Sequence, residues 1–142
     1  MILKTYARVF THSIDATLTT LRALVGRQED LRVAFGDLEI AAIGDFCVVA
    51  GTDEALARYL GTVGPLIVDD LEAARTTVLR SGAEITVPHF ESATGTGFYA
   101  RHPDGVEFEY VQWYPETARK VFGTPRDTGL RTPRGQQVPG RA

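Results

Sequence analysis

The sequence predicts an α+β protein built twice from one β-α-β-β-β unit. Three observations carry this. Residues 5–17, TYARVFTHSIDAT, align with residues 62–74, TVGPLIVDDLEAA, laying Tyr6 on Val63, Ile14 on Leu71, Asp15 on Glu72 and Ala16 on Ala73. In both segments an extended apolar run passes through a capping-type residue, Ser13 or Asp70, into a helical pattern. After each helix come short strand patterns divided by glycine-bearing turns.

The elements follow in order. A first strand through Tyr6, Arg8 and Phe10 leads to a helix from about Ile14 to Val25, with Leu18, Leu21, Leu24 and Val25 on one face and Gly26 as its stop. Leu31–Phe35, Leu38–Ile43 and Phe46–Ala50 read as strands, turned by Gly36-Asp37 and Gly44-Asp45. Asp53 to Leu60 is a linker of helical character. The second unit repeats the plan: a strand through Val63 and Ile67, then a helix from Leu71 to Arg80 with Ala74, Val78 and Leu79 inward. Strands at Glu84–His89, Gly97–Arg101 and Val106–Trp113 complete it. Gly44-Asp45-Phe46-Cys47-Val48 aligns with Gly105-Val106-Glu107-Phe108-Glu109, which sets Val48 against Glu109. The expected division is a first module with linker at 1–60, a second module at 61–122, and a Gly-, Pro- and Arg-rich flexible tail at 123–142.

Bulk properties narrow the function. The chain has 142 residues, 44% hydrophobic and 23% charged, with net charge −3, so no basic surface argues for nucleic acid. The single cysteine, Cys47, forms no intrachain disulfide. It reads as a small core residue before it reads as a nucleophile. No apolar run reaches transmembrane length and no leader pattern opens the chain, so a cytoplasmic protein without membrane contact is expected.

The segments Val68-Asp69-Asp70-Leu71-Glu72-Ala73 and Phe98-Tyr99-Ala100-Arg101-His102-Pro103-Asp104-Gly105, in that order and with the internal repeat, resemble the vicinal oxygen chelate superfamily. That group includes glyoxalase I, extradiol dioxygenases and bleomycin-resistance proteins. The resemblance spans roughly residues 3 to 114. It implies an open, cup-like sheet of eight strands around a cleft, with helices outside, and a homodimer. Metal-dependent members take ligands from strands one, four, five and eight. Those positions align here with Tyr6, Val48, Val63 and Glu109. Two valines and a tyrosine beside one carboxylate do not supply the converging donors a divalent ion needs. The resemblance is therefore to a metal-free member, with no metal and no cofactor. His12, His89 and His102 lie on different elements without ligand spacing and read as rim or turn residues.

Period-two alternation then lists the cup face. Glu107, Glu109, Val111 and Trp113 share it, as do Tyr6, Arg8 and Phe10, then Phe46, Val48 and Ala50, and Val63, Pro65 and Ile67. The candidate ligand-binding residues are Tyr6, Arg8, Phe10, Phe46, Val48, Val63, Glu107, Glu109 and Trp113. Arg8 and Glu109 face each other either as a buried ion pair or as an anion site with a free acid or base. Two functions follow. One is a metal-independent protein binding a small, aromatic or conjugated molecule, like the glyoxalase/bleomycin-resistance group. The other is a metal-free isomerase, cyclase or lyase with Glu109 and Tyr6 as the catalytic base and acid.

Overall fold

The computed structural model describes residues 1–123; the tail expected at 123–142 lies, past Gly123, outside the described residues. The first expected strand is broken at Tyr6 into β1 (Ile2–Thr5) and β2 (Ala7–Thr11). α1 (Ile14–Val25) follows, then β3 (Leu31–Phe35), β4 (Leu38–Ile43), β5 (Phe46–Ala50) and the short α2 (Asp53–Leu56). The second half holds β6 (Thr62–Val68), α3 (Leu71–Arg80), β7 (Glu84–Glu91), β8 (Gly95–Arg101), β9 (Glu107–Trp113) and α4 (Pro115–Phe122). The fold is α+β, as the repeat implies. Among the described residues no helix is long and apolar enough to cross a membrane.

The break at Tyr6 joins the two halves. β1 pairs antiparallel with β6, while β2 pairs parallel with β5. Tyr6 N–H donates to the Pro65 carbonyl at 3.3 Å, and the next amide, Ala7 N–H, donates to Asp45 at 2.7 Å. One extended segment thus edges both sheets, whose orders are β1-β6-β9-β8-β7 and β2-β5-β4-β3.

Both helices start where the caps indicate. Ser13 Oγ accepts from Ala16 N–H at 3.3 Å and Asp70 Oδ1 accepts from Ala73 N–H at 3.0 Å. Gly26, at φ +81°, ends α1 in the left-handed conformation. α1 buries Ile14, Leu18 and Leu21 against Ile43, Val48 and Ala50. α3 buries Leu71, Ala74 and Val78 against Phe98, Ala100 and Tyr110. Two expected inward leucines face out instead: Leu24 is 75% exposed and Leu79 49%. Leu79 lies about 100° around its helix from buried Val78 and Leu24 about 100° from half-buried Val25, each beyond the stripe the sheet covers. With the helices outside, a third apolar cluster forms between the sheets around Tyr6, Leu38, Cys47, Val49, Ile67 and Val111.

Candidate ligand cleft

The inner faces of the two sheets enclose a cavity of about 180 Å³. This is comparable with the roughly 150 Å³ apolar cavity that accepts benzene in another protein. Strand alternation decides who lines it. On β9, Glu109, Val111 and Trp113 point in, while Phe108 and Tyr110 turn to α3. On β8, Tyr99 stands opposite Glu109 in the antiparallel ladder and shares its face. Val33, Phe35 and Leu38 on the first sheet and Val87 and Phe90 on the second make the walls apolar.

β5 corrects the expected register. Cys47 and Val49 line the cavity, whereas Phe46 and Val48 pack beneath α1, with Val48 fully buried there. Phe46 and Glu107 are each the first paired residue after their turn, so the ladders match as aligned, yet the two strands present opposite faces: Cys47, beside Arg8 in the β2–β5 ladder, turns into the cavity with it. Val63 is likewise turned away and 44% exposed. β6 is irregular between Val63 and Leu66, where Gly64 holds φ +122° and approaches the Glu109 carbonyl too closely for a side chain. Thr62, buried, sits at the cavity base in its place. Phe10 packs at the edge of the inner cluster without lining the cavity, and Glu107 lies at its rim. Of the nine expected residues, the structure gathers Tyr6, Arg8, Glu109 and Trp113 into one cavity.

At the base, Arg8 Nη2 donates to Glu109 Oε2 and Arg8 Nη1 donates to Thr62 Oγ1. The Thr62 hydroxyl in turn donates to the Tyr59 carbonyl at 2.7 Å. The Arg8 and Glu109 side chains are 7% and 14% exposed. Burial first, then the Glu109 charge, pushes the Tyr99 phenol well above the usual tyrosine range. Burial, reinforced by Asp30, does the same to Tyr6. Both phenols stay protonated. The Cys47 thiol, pushed up to about 12 by burial, is no thiolate at neutral pH. Tyr6 Oη and Arg8 Nε have no hydrogen-bond partner among the described residues.

A divalent ion does not fit this set. Around the four strand positions Tyr6, Arg8, Cys47 and Glu109 line the cavity, and the Arg8 guanidinium already holds the carboxylate and the Thr62 hydroxyl. Among the described residues no three His, Cys, Asp or Glu side chains converge. His12 Nε2 lies 2.6 Å from Asp53 on the surface, and His102 Nε2 lies 2.7 Å from Tyr110 Oη on the helix side of the sheet.

Sequence reasoning missed Tyr59, Phe90, Tyr99 and Arg58 as cavity residues. Alternation around Phe98, read together with the β8–β9 turn, carried the signal for Tyr99. Arg58 and Tyr59, on the connection after α2, carried none.

No family model matches this chain, and no curated protein matches it. Solved structures do. An uncharacterized protein from Methanosarcina mazei is 27% identical, with TM-score 0.76 over 80% of this chain and 94% of that one. Methylmalonyl-CoA epimerase of Streptomyces coelicolor, in complex with 2-nitronate-propionyl-CoA, superposes with TM-score 0.62 at 14% identity, covering 81% of this chain and 97% of its own. A selenomethionine form of methylmalonyl-CoA epimerase gives TM-score 0.53 at 16% identity, over 78% and 98%. This chain therefore shares its fold with methylmalonyl-CoA epimerase, a member of the vicinal oxygen chelate superfamily.

Proposed function

We propose that this protein binds a small organic molecule with an aromatic or conjugated portion in the cup between its sheets, without a metal ion. The observation that carries the reading is an apolar cavity whose buried charges among the described residues, Arg8 and Glu109, neutralise each other at its base. Apolar walls with a few convergent polar groups suit a ligand chamber. Tyr6, Tyr99, Phe90 and Trp113 supply ring faces for a planar guest. A neighbour of the same fold has been seen with an organic ligand, 2-nitronate-propionyl-CoA, which supports the use of this architecture for binding.

Acid–base catalysis by Glu109 and Tyr6 is the weaker reading. A general base needs a free carboxylate within reach of a substrate proton, and Arg8 holds this one. The charge that most affects Tyr6 is Asp30, not Glu109. Trp113 is the only tryptophan and lines the cavity, so its emission reports on occupancy. Titration with aromatic metabolites is expected to change that emission saturably and to raise the melting temperature together with it. If no compound of a broad aromatic set does either, the proposal fails.

A further inference from the structure

Resting on that reading, we infer that the ligand carries an anionic group, a carboxylate or its equivalent, which Arg58 binds at the mouth of the cup while the apolar body fills the interior. Three guanidinium groups meet two carboxylates on this side of the molecule. Arg8 is committed to Glu109 at the base. Glu107, whose side chain is only 12% exposed, is shared by Arg58 at 3.1 Å and Arg101 at 3.2 Å. One positive charge remains, although the chain as a whole carries net charge −3.

Arg58 is the group positioned to use that charge. It lines the cavity yet is 46% exposed, which places it at the mouth. Its Nη1 donates to Glu107, and the guanidinium makes no other hydrogen bond among the described residues. Its carbon lies 5.1 Å from the centre of the Tyr99 ring and 5.7 Å from that of Tyr59. Cation–π contact with two rings restrains the guanidinium and leaves N–H donors for a second acceptor. The inner polar groups point to the same ligand: Glu109 is occupied by Arg8, while the protonated Tyr6 hydroxyl and Arg8 Nε are buried without a partner among the described residues. The cavity therefore offers chiefly donors, which suit an oxygen-bearing, acceptor-rich guest and reject a cationic amine.

The test uses isothermal titration calorimetry on the full chain with three probes of one shape: 1-naphthoate, 1-naphthamide and 1-naphthylmethylamine. At low ionic strength the carboxylate is expected to bind about tenfold tighter than the amide, the amine being weakest, and the preference should shrink as salt rises. Arg58→Gln should bring the carboxylate-to-amide ratio toward one, and Arg58→Lys should keep part of it. Equal binding of all three by the parent overturns the inference and leaves the ligand chamber standing. A carboxylate preference that survives Arg58→Gln removes Arg58 from the role and overturns it as well. No binding of any probe overturns the inference, while the chamber stands or falls by the broader aromatic titration.

Discussion

Arg8 and Glu109, 101 residues apart in the chain, meet as a hydrogen-bonded ion pair at the base of the cup. β2 carries Arg8 beside Cys47, and β9 carries Glu109 beside Tyr99. The pair therefore ties the sheet built by the first half to the sheet built by the second. Thr62 takes the second guanidinium nitrogen, so the arginine is held from two sides.

Removing one partner should be far worse than removing both. Arg8→Met leaves a carboxylate buried without its charge partner and is expected to cost about 3–5 kcal/mol of unfolding free energy in denaturant titrations. Arg8→Met with Glu109→Leu should recover most of that loss. A single variant within about 1 kcal/mol of the parent would show that water or Tyr99 replaces Arg8 at no great cost.

A second ion pair links stability to pH. Arg22 in α1 grips Glu29 through two hydrogen bonds, Nε to Oε2 at 2.8 Å and Nη2 to Oε1 at 2.7 Å. These bonds lower the Glu29 carboxyl from its ordinary 4.5 to about 2. A depressed carboxyl favours the native state above its unfolded value, and that contribution fades as pH falls through the folded value. Glu29→Gln should therefore lower the denaturation midpoint at pH 7, and its curve should converge on the parent's between about pH 4.5 and pH 2. A constant gap across that window would mean that the pair adds no linked stability.

Much of the fold could be read from the chain because its signals are local. Ser13, Asp70 and Gly26 mark helix ends by chemistry that acts within four residues, and all three act there. The cup face was harder, because it depends on phase. β9 was phased correctly by Glu109 and Trp113, while β5, a run of Phe46, Cys47, Val48, Val49 and Ala50, is apolar on both faces and offers no alternation to phase it. Its facing was borrowed from β9, whose matching positions turn the other way, and so came out inverted. The split at Tyr6 left no mark either, since an edge segment shared by two sheets reads as one strand. α4 had a signal that went unused: Pro115 at a first helical turn, with Val121 and Phe122 on its apolar side.

Gly97 offers a steric test of the cup wall. A methyl group there would lie 2.5 Å from the Tyr110 carbonyl oxygen and closer still to the Phe90 ring. The carbonyl belongs to the β8–β9 ladder, so the strand must shift as well as Phe90, and Phe90 lines the cavity. Gly97→Ala is expected to cost about 1–3 kcal/mol and to weaken binding of any guest that reaches the Phe90 wall. Unchanged stability, measured by denaturant titration, would mean that the strand relaxes away from the ring.

The last prediction concerns the lid that α4 forms over Trp113. The start of this helix is pinned: Tyr114 N–H donates to the Thr94 carbonyl at 2.9 Å and Thr117 Oγ1 donates to the same oxygen at 2.8 Å. Its far end returns Phe122 to within 5.3 Å of the Trp113 ring, whose other aromatic neighbour, at 6.1 Å, is Tyr6 at the junction of the two sheets. Trp113 is thus sandwiched between the cup and the helix, and Val121 packs on the inner cluster beside it. Phe122→Ala keeps the pinned start and removes only the outer ring. It should shift Trp113 emission to the red and cost about 1–2 kcal/mol, less than the roughly 3–5 kcal/mol of a fully buried Phe→Ala, because Phe122 is half-buried. A chain ending at Tyr114 should lose more, since it also removes the Thr117 hydrogen bond to the Thr94 carbonyl; a chain ending at Gly123 separates this effect from that of the remaining residues. If Phe122→Ala leaves both emission and stability as they were, the helix does not cover the tryptophan in solution, and Trp113 emission then reports on solvent access as well as on ligand.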